Sequence, residues 1–112
     1  MSIIVQKYGG TSIGTIEKIL SVADKIISAK KEGNDVVVVV SAMSGETNRL
    51  LNLAKSIDSE ASGRELDVLV STGEQVTIAL LSMALIKKDY KAISLTGSQA
   101  GIVTSSVFNK AR

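Results

Sequence analysis

Four short segments hold the residue types that can do chemistry in this chain. They are Lys7-Tyr8-Gly9-Gly10-Thr11-Ser12, Ser41-Ala42-Met43-Ser44-Gly45, Ser71-Thr72-Gly73-Glu74-Gln75 and Thr96-Gly97-Ser98-Gln99. The sequence has no His and no Cys. The usual general base near neutral pH is therefore missing, as are thiolate metal sites and disulfides. Chemistry must rest on Lys, Arg, carboxylates, hydroxyls and backbone amides.

Lys7 and Gly9-Gly10 form the first candidate. Glycines let the backbone approach an anion closely and aim N–H groups at it. A helix starting near Thr15 adds its positive end, and Lys7 adds a full charge for phosphate oxygens. The plainer reading is a tight strand-to-helix turn with a solvated lysine. The pattern is neither a Walker A loop nor Gly-x-Gly-x-x-Gly. In the second segment, small hydroxyl residues can bond a ligand without filling a pocket, while Ser44 can equally cap a helix. In the third, Glu74 stands beside an apolar run and invites a cationic partner such as a substrate ammonium. Ser71-x-x-Glu74 is also a capping box, in which Glu74 only serves its own backbone. Thr96-Gly97-Ser98-Gln99 supplies hydroxyl and amide donors, or an ordinary turn.

The elements between these segments must position them. Ile3-Ile4-Val5 opens a strand that ends near Tyr8. Thr15 is placed to cap a helix whose stripe is Ile16, Ile19, Leu20, Ala23, Ile26 and Ile27. Gly33-Asn34-Asp35 ends it in a turn. Val36–Val40 has no alternating polar residue, which predicts a strand buried on both faces. Leu50 to Ile57 predicts a second helix. Arg64 to Val70 and Glu74 to Ile86 predict two more, interrupted at Ser71-Thr72-Gly73, the last of them buried. Ala92–Leu95 predicts a third strand, and Ile102-Val103-Thr104 a fourth. Alternation of this kind favours an α/β fold with a mainly parallel sheet. In such sheets ligands bind outside the carboxyl ends of the strands, so three of the chemical segments gather on one edge.

Whole-chain properties exclude several classes. The 112 residues fit one small domain or part of a larger one, and 45% hydrophobic residues argue against disorder. A net charge of +2 and 3% aromatics give no electrostatic or stacking case for nucleic acid. Met1 to Lys7 has no basic n-region followed by a long apolar run and is not expected to be a signal peptide, and the apolar run from Val76 to Ile86 is about half of the ~20 residues a membrane helix needs. The expectation is a cytoplasmic protein without nucleic-acid or membrane partners.

Taken in order, the segments resemble the opening motifs of aspartate kinases. Lys7-Tyr8-Gly9-Gly10-Thr11-Ser12 is similar to the family's first signature. Ser41-Ala42-Met43 with Thr47, Ser71 to Gln75, and Thr96 to Ile102 are similar to the next three. The resemblance runs from about Ile3 to Arg112. It implies the amino-acid kinase fold, a three-layer αβα sandwich of which residues 1–112 are the N-terminal, substrate-binding part. It implies ATP and Mg2+ as cofactors and L-aspartate as substrate. Lys7 would be catalytic and, with Tyr8, Gly9, Gly10 and Ser41, would hold the nucleotide. Thr11, Ala42, Thr47 and Glu74 would hold aspartate, with Glu74 facing its amino group. An aspartate carboxylate is already ionised near pH 7, its reference pKa being about 3.9, so no general base is needed.

The family's catalytic domain normally continues to a second glycine-rich loop and an acidic metal-binding segment, and in many members to regulatory ACT domains. None of these occurs here. The expectation is a piece that is inactive alone, with its metal ligands elsewhere. Its partner would be the rest of the kinase domain or another subunit, and an open sheet edge points to a homo-oligomer. Two alternatives are an inert binding or assembly module that keeps the half-fold, and a kinase for another small amino acid.

Overall fold

A computed structural model describes residues 2–96 of the chain. Strand β1 is Ile3–Tyr8 and strand β2 is Asp35–Val40. They pair in parallel, with Ile3 opposite Asp35 and Tyr8 opposite Val40. A parallel pair needs a long crossover. Helix α1, Ile16–Lys31, supplies it. Thr15 caps α1 as expected, its hydroxyl accepting from the Lys18 N–H at 3.2 Å. Gly33 takes φ +92°, the left-handed conformation that turns the chain into β2.

The buried stripe of α1 is centred on Ile19, Val22, Ala23, Ile26 and Ile27. Ile16 and Leu20, expected in that stripe, are exposed. The helix meets both β2 and the third helix, which draws Val22 inward and leaves the flank at Leu20 open. Tyr8, Val36, Val38 and Val40 contribute the sheet side of this core.

Helix α2 is Glu46–Ile57 and helix α3 is Arg64–Lys87. The expected interruption at Ser71-Thr72-Gly73 does not occur. Ser71 donates to the Val68 carbonyl at 2.8 Å and Thr72 to the Leu69 carbonyl at 2.6 Å, so both hydroxyls are satisfied inside the helix. Gly73 costs an isolated helix about 1 kcal/mol relative to Ala. Here it sits on the face that packs against α2, and that packing overrides propensity. The capping-box reading of Ser71 and Glu74 falls with the interruption, because both lie within the helix.

Gly73, Thr77, Leu81 and Leu85 form the buried line of α3. The spacing of four is one helical ridge, directed at α1 and α2. Burial of α3 is less complete than its sequence predicts. Its 24 residues are long and apolar enough to cross a membrane by length and composition, yet 22% of its most apolar window is buried. Val76, Met83 and Ile86 stand exposed.

Two further expectations fail. β2 is not buried on both faces, since Val37 and Val39 are 50% and 48% exposed. Among the described residues, α1 and α3 pack on one face of the sheet, so alternate valines face outward. Ala92–Leu95 forms no strand. Only Ile93 in this run is a strongly strand-favouring type, and a segment becomes a strand only with a ladder partner, whereas the described sheet contains β1 and β2 alone. The expected strand at Ile102-Val103-Thr104 and most of the Thr96–Gly101 segment lie outside the described residues.

Candidate active site at the strand ends

Because Tyr8 and Val40 are in register, the chain leaves both strands at one level. The Ser41 N–H donates to the Tyr8 carbonyl at 3.2 Å, extending the pairing one step beyond the sheet. Gly9 to Ser12 then forms a turn closed by the Ser12 N–H on the Gly9 carbonyl at 3.0 Å. The Lys18 ammonium donates to the Thr11 carbonyl at 2.7 Å and fixes the turn to the start of α1.

The second loop lies against the first. A Cβ on Gly10 would stand 3.3 Å from the Ala42 carbonyl oxygen, so glycine permits this approach. Ser44 does not cap α2. The cap position is Gly45, at φ +78° and with no side-chain bond. Ser44 instead donates to the Gly10 carbonyl at 3.1 Å. The sequence offered no signal for this, since the partners are 34 residues apart.

Helix α3 closes the third side. A Cβ on Gly73 would lie 3.0 Å from the Ala42 Cβ and 3.4 Å from Leu50 Cδ1. Gly73 therefore sets how close α3 comes to the loop after β2, and Glu74 follows it directly. The resulting open cleft of about 390 Å3 is lined by Gly10, Ser41, Ala42, Thr47, Val70 and Glu74, among others. Val70 adds an apolar wall that sequence reasoning had assigned only to a helix.

Of the sequence-derived candidates, the cleft thus gathers Gly10, Ser41, Ala42, Thr47 and Glu74. Lys7, Tyr8, Gly9 and Thr11 are outside its lining. Lys7 is exposed and shares the open sheet face with Ile3 and Val5, three residues before Gly10. Its ammonium has no ion-pair partner among the described residues. Tyr8 turns the other way and packs on the core, with its hydroxyl donating to Gln6 at 2.9 Å. Burial pushes the Tyr8 phenol up from its usual range. Glu74 is exposed rather than partly buried, and it also lacks an ion-pair partner among the described residues. Glu46, at the start of α2, is bonded by Arg49 at 2.6 Å. That bond holds its carboxyl below the usual carboxylate range.

The cleft itself offers small hydroxyls, Ser41 and Thr47, beside the glycine turn, while Lys7 stands outside it on the open sheet face. Glu74 on the far wall suits a cationic group. Among the described residues no three carboxylates converge to hold a metal ion.

Parallel strands joined by a helix define an α/β protein, and in such folds the edge at the strands' carboxyl ends, where this cleft lies, is where ligands bind. The sequence profile of the amino acid kinase family matches residues 2–112, and the chain belongs to that family. It is 62% identical over its whole length to an aspartate kinase of Stutzerimonas stutzeri, and 55% identical to aspartokinase 2 of Bacillus subtilis. Its fold superposes on the crystal structure of an aspartate kinase from Synechocystis with a TM-score of 0.83 and 55% identity. That match covers 88% of this chain and 17% of the other. The chain spans 27% and 28% of the length of the two curated relatives. The α/β fold and the resemblance read from the four motifs are thereby confirmed.

Proposed function

We propose that this chain is the N-terminal, substrate-binding part (residues 1–112) of an ATP-dependent aspartate kinase. The reaction is transfer of the terminal phosphoryl group to the side-chain carboxylate of L-aspartate, giving 4-phospho-L-aspartate. That product opens the route to lysine, threonine and methionine, and the reading places the protein in the cytoplasm. The observation that carries it is the cleft itself, where Gly10, Ser41, Ala42 and Thr47 meet Glu74 from a different element.

In this reading Glu74 receives the ammonium of aspartate, and Thr11, Ala42 and Thr47 orient its carboxylates. Gly9 and Gly10 present backbone N–H groups to the nucleotide phosphates, with Tyr8 and Ser41 beside them. Lys7 offsets the charge that builds as one anion approaches another. Positioning and electrostatic stabilisation are the main tasks in phosphoryl transfer, so a site without His is sufficient. ATP supplies the phosphoryl group, and its Mg2+ would take ligands from outside the described residues.

The test is an ADP-release assay with aspartate. The chain is assayed alone, and again with the uncovered remainder of a relative's kinase domain supplied in trans. Aspartate-dependent ADP release is expected only in the second arm. Its absence from both arms removes the kinase reading in favour of an inert binding module. Turnover of glutamate or acetylglutamate in place of aspartate would reassign the substrate.

A further inference from the structure

The contact between the two loops does more than close a cleft. Ser44 donates to the Gly10 carbonyl, and its side chain also occupies the space beside Gly14. A Cβ on Gly14 would collide with the Ser44 hydroxyl, lie 3.0 Å from its Cβ, and stand 2.8 Å from the Gly10 carbonyl oxygen. The hydroxyl is thus held between two glycines of the first loop. Gly10 and Ser44 both face the cleft. Among the described residues, no other side-chain hydrogen bond joins the loop after β1 to the loop after β2.

We propose that Ser44 is a positioning residue that locks the spacing of these two loops. The inference rests on the kinase reading for its kinetic consequence, though the latch itself does not. One loop carries the proposed phosphate-binding glycines, and the other carries Ser41, Ala42 and Thr47 for the acceptor. A latch between them governs the approach of the two reactants. It contributes little to the binding of either one. Its loss therefore appears in kcat, and the two KM values stay nearly constant.

The test compares Ser44→Ala and Ser44→Thr in the complemented protein. Ser44→Ala is expected to lower kcat about tenfold or more, with KM for ATP and aspartate within about twofold, since misplacement by about an ångström costs up to about a hundredfold. Amide hydrogen exchange in residues 9–14 should quicken about tenfold while α3 stays protected, as expected for loss of one local hydrogen bond. Ser44→Thr keeps the hydroxyl and should restore both readouts. Gly14→Ala approaches the same latch from the other loop and should reproduce the kcat loss. Unchanged kcat with unchanged exchange in Ser44→Ala overturns the proposal, as does a loss that Ser44→Thr does not repair. If the unsubstituted protein shows no phosphoryl transfer, the kinase reading has failed separately. Exchange in residues 9–14 then decides on the latch alone, for it if faster and against it if unchanged.

Discussion

In the proposed kinase reading Lys7 and Glu74 carry the chemistry, and they differ in what they should cost when removed. Lys7 is exposed and makes no described ion pair. A surface side chain of this kind changes stability by about 0.5 kcal/mol or less. A charge aimed at a transition state is worth far more, on the order of a hundredfold in kcat or greater. Lys7→Ala in the complemented protein should therefore lose most turnover while its thermal midpoint stays within about 2 °C, a shift matched to that small stability change. Near-normal turnover would remove Lys7 from the mechanism. Glu74→Gln keeps shape and loses charge. It should raise KM for aspartate roughly tenfold or more, because hydrogen bonds to charged groups contribute about 1.5–3 kcal/mol. Steady-state kinetics checks this, and an unchanged KM would assign the ammonium to another group.

At the scale of elements, α3 carries the cleft wall, and Gly73 determines where that wall stands. Its missing Cβ lies against Ala42 and Leu50. Gly73→Val puts a branched side chain into that contact and should destabilise the fold by about 1–3 kcal/mol, the usual cost of overpacking. Urea midpoints measure the change, and a variant as stable as the parent would mean that α3 shifts freely. Helix α2 offers a separate test. Arg49 holds the Glu46 carboxyl below its ordinary range. A folded-state pKa below the unfolded value stabilises the protein above the ordinary carboxylate range, and that gain is lost as pH falls through the folded pKa. Arg49→Ala should move the Glu46 titration upward when followed by carbon NMR, and it should weaken the acid dependence of stability from this residue. An unmoved titration would show that the Arg49 bond does not persist in solution.

At the scale of the molecule, the described residues leave much apolar surface open. Ile3 and Val5 are 72% and 65% exposed on the same sheet face as Val37 and Val39, and Met83 on α3 is 63% exposed. Contiguous apolar patches beyond a few hundred Å2 are rare on monomers. The chain by itself should therefore associate, and pairing with a second copy or with the rest of a kinase domain should relieve it. Light scattering across a concentration series tests this. A monomer that melts in one cooperative calorimetric transition would show that the open face is tolerated.

Much of the fold was legible in the sequence because its signals were local. The strand Ile3–Tyr8, the Thr15 cap, the Gly33 turn and the five valines of β2 each report a nearby backbone preference, and they formed where expected. The four ordered motifs fixed the family, since their spacing is specific even where each motif alone is weak. Other features depended on contacts between distant residues. The continuity of α3 through Ser71-Thr72-Gly73 came from packing on Ala42 and Leu50, which outweighs the helix cost of glycine. The exposure of Val37 and Val39, and the irregular path of Ala92–Leu95, follow from which layers and ladder partners are present. Sequence by itself determined the residue types and the strand-end loops that bear them. Tertiary structure alone decided that Glu74, from a third element, faces Gly10 and Thr47, and that Ser44 ties the loops together. Side chains so far apart in the chain meet only when packing brings their elements into contact.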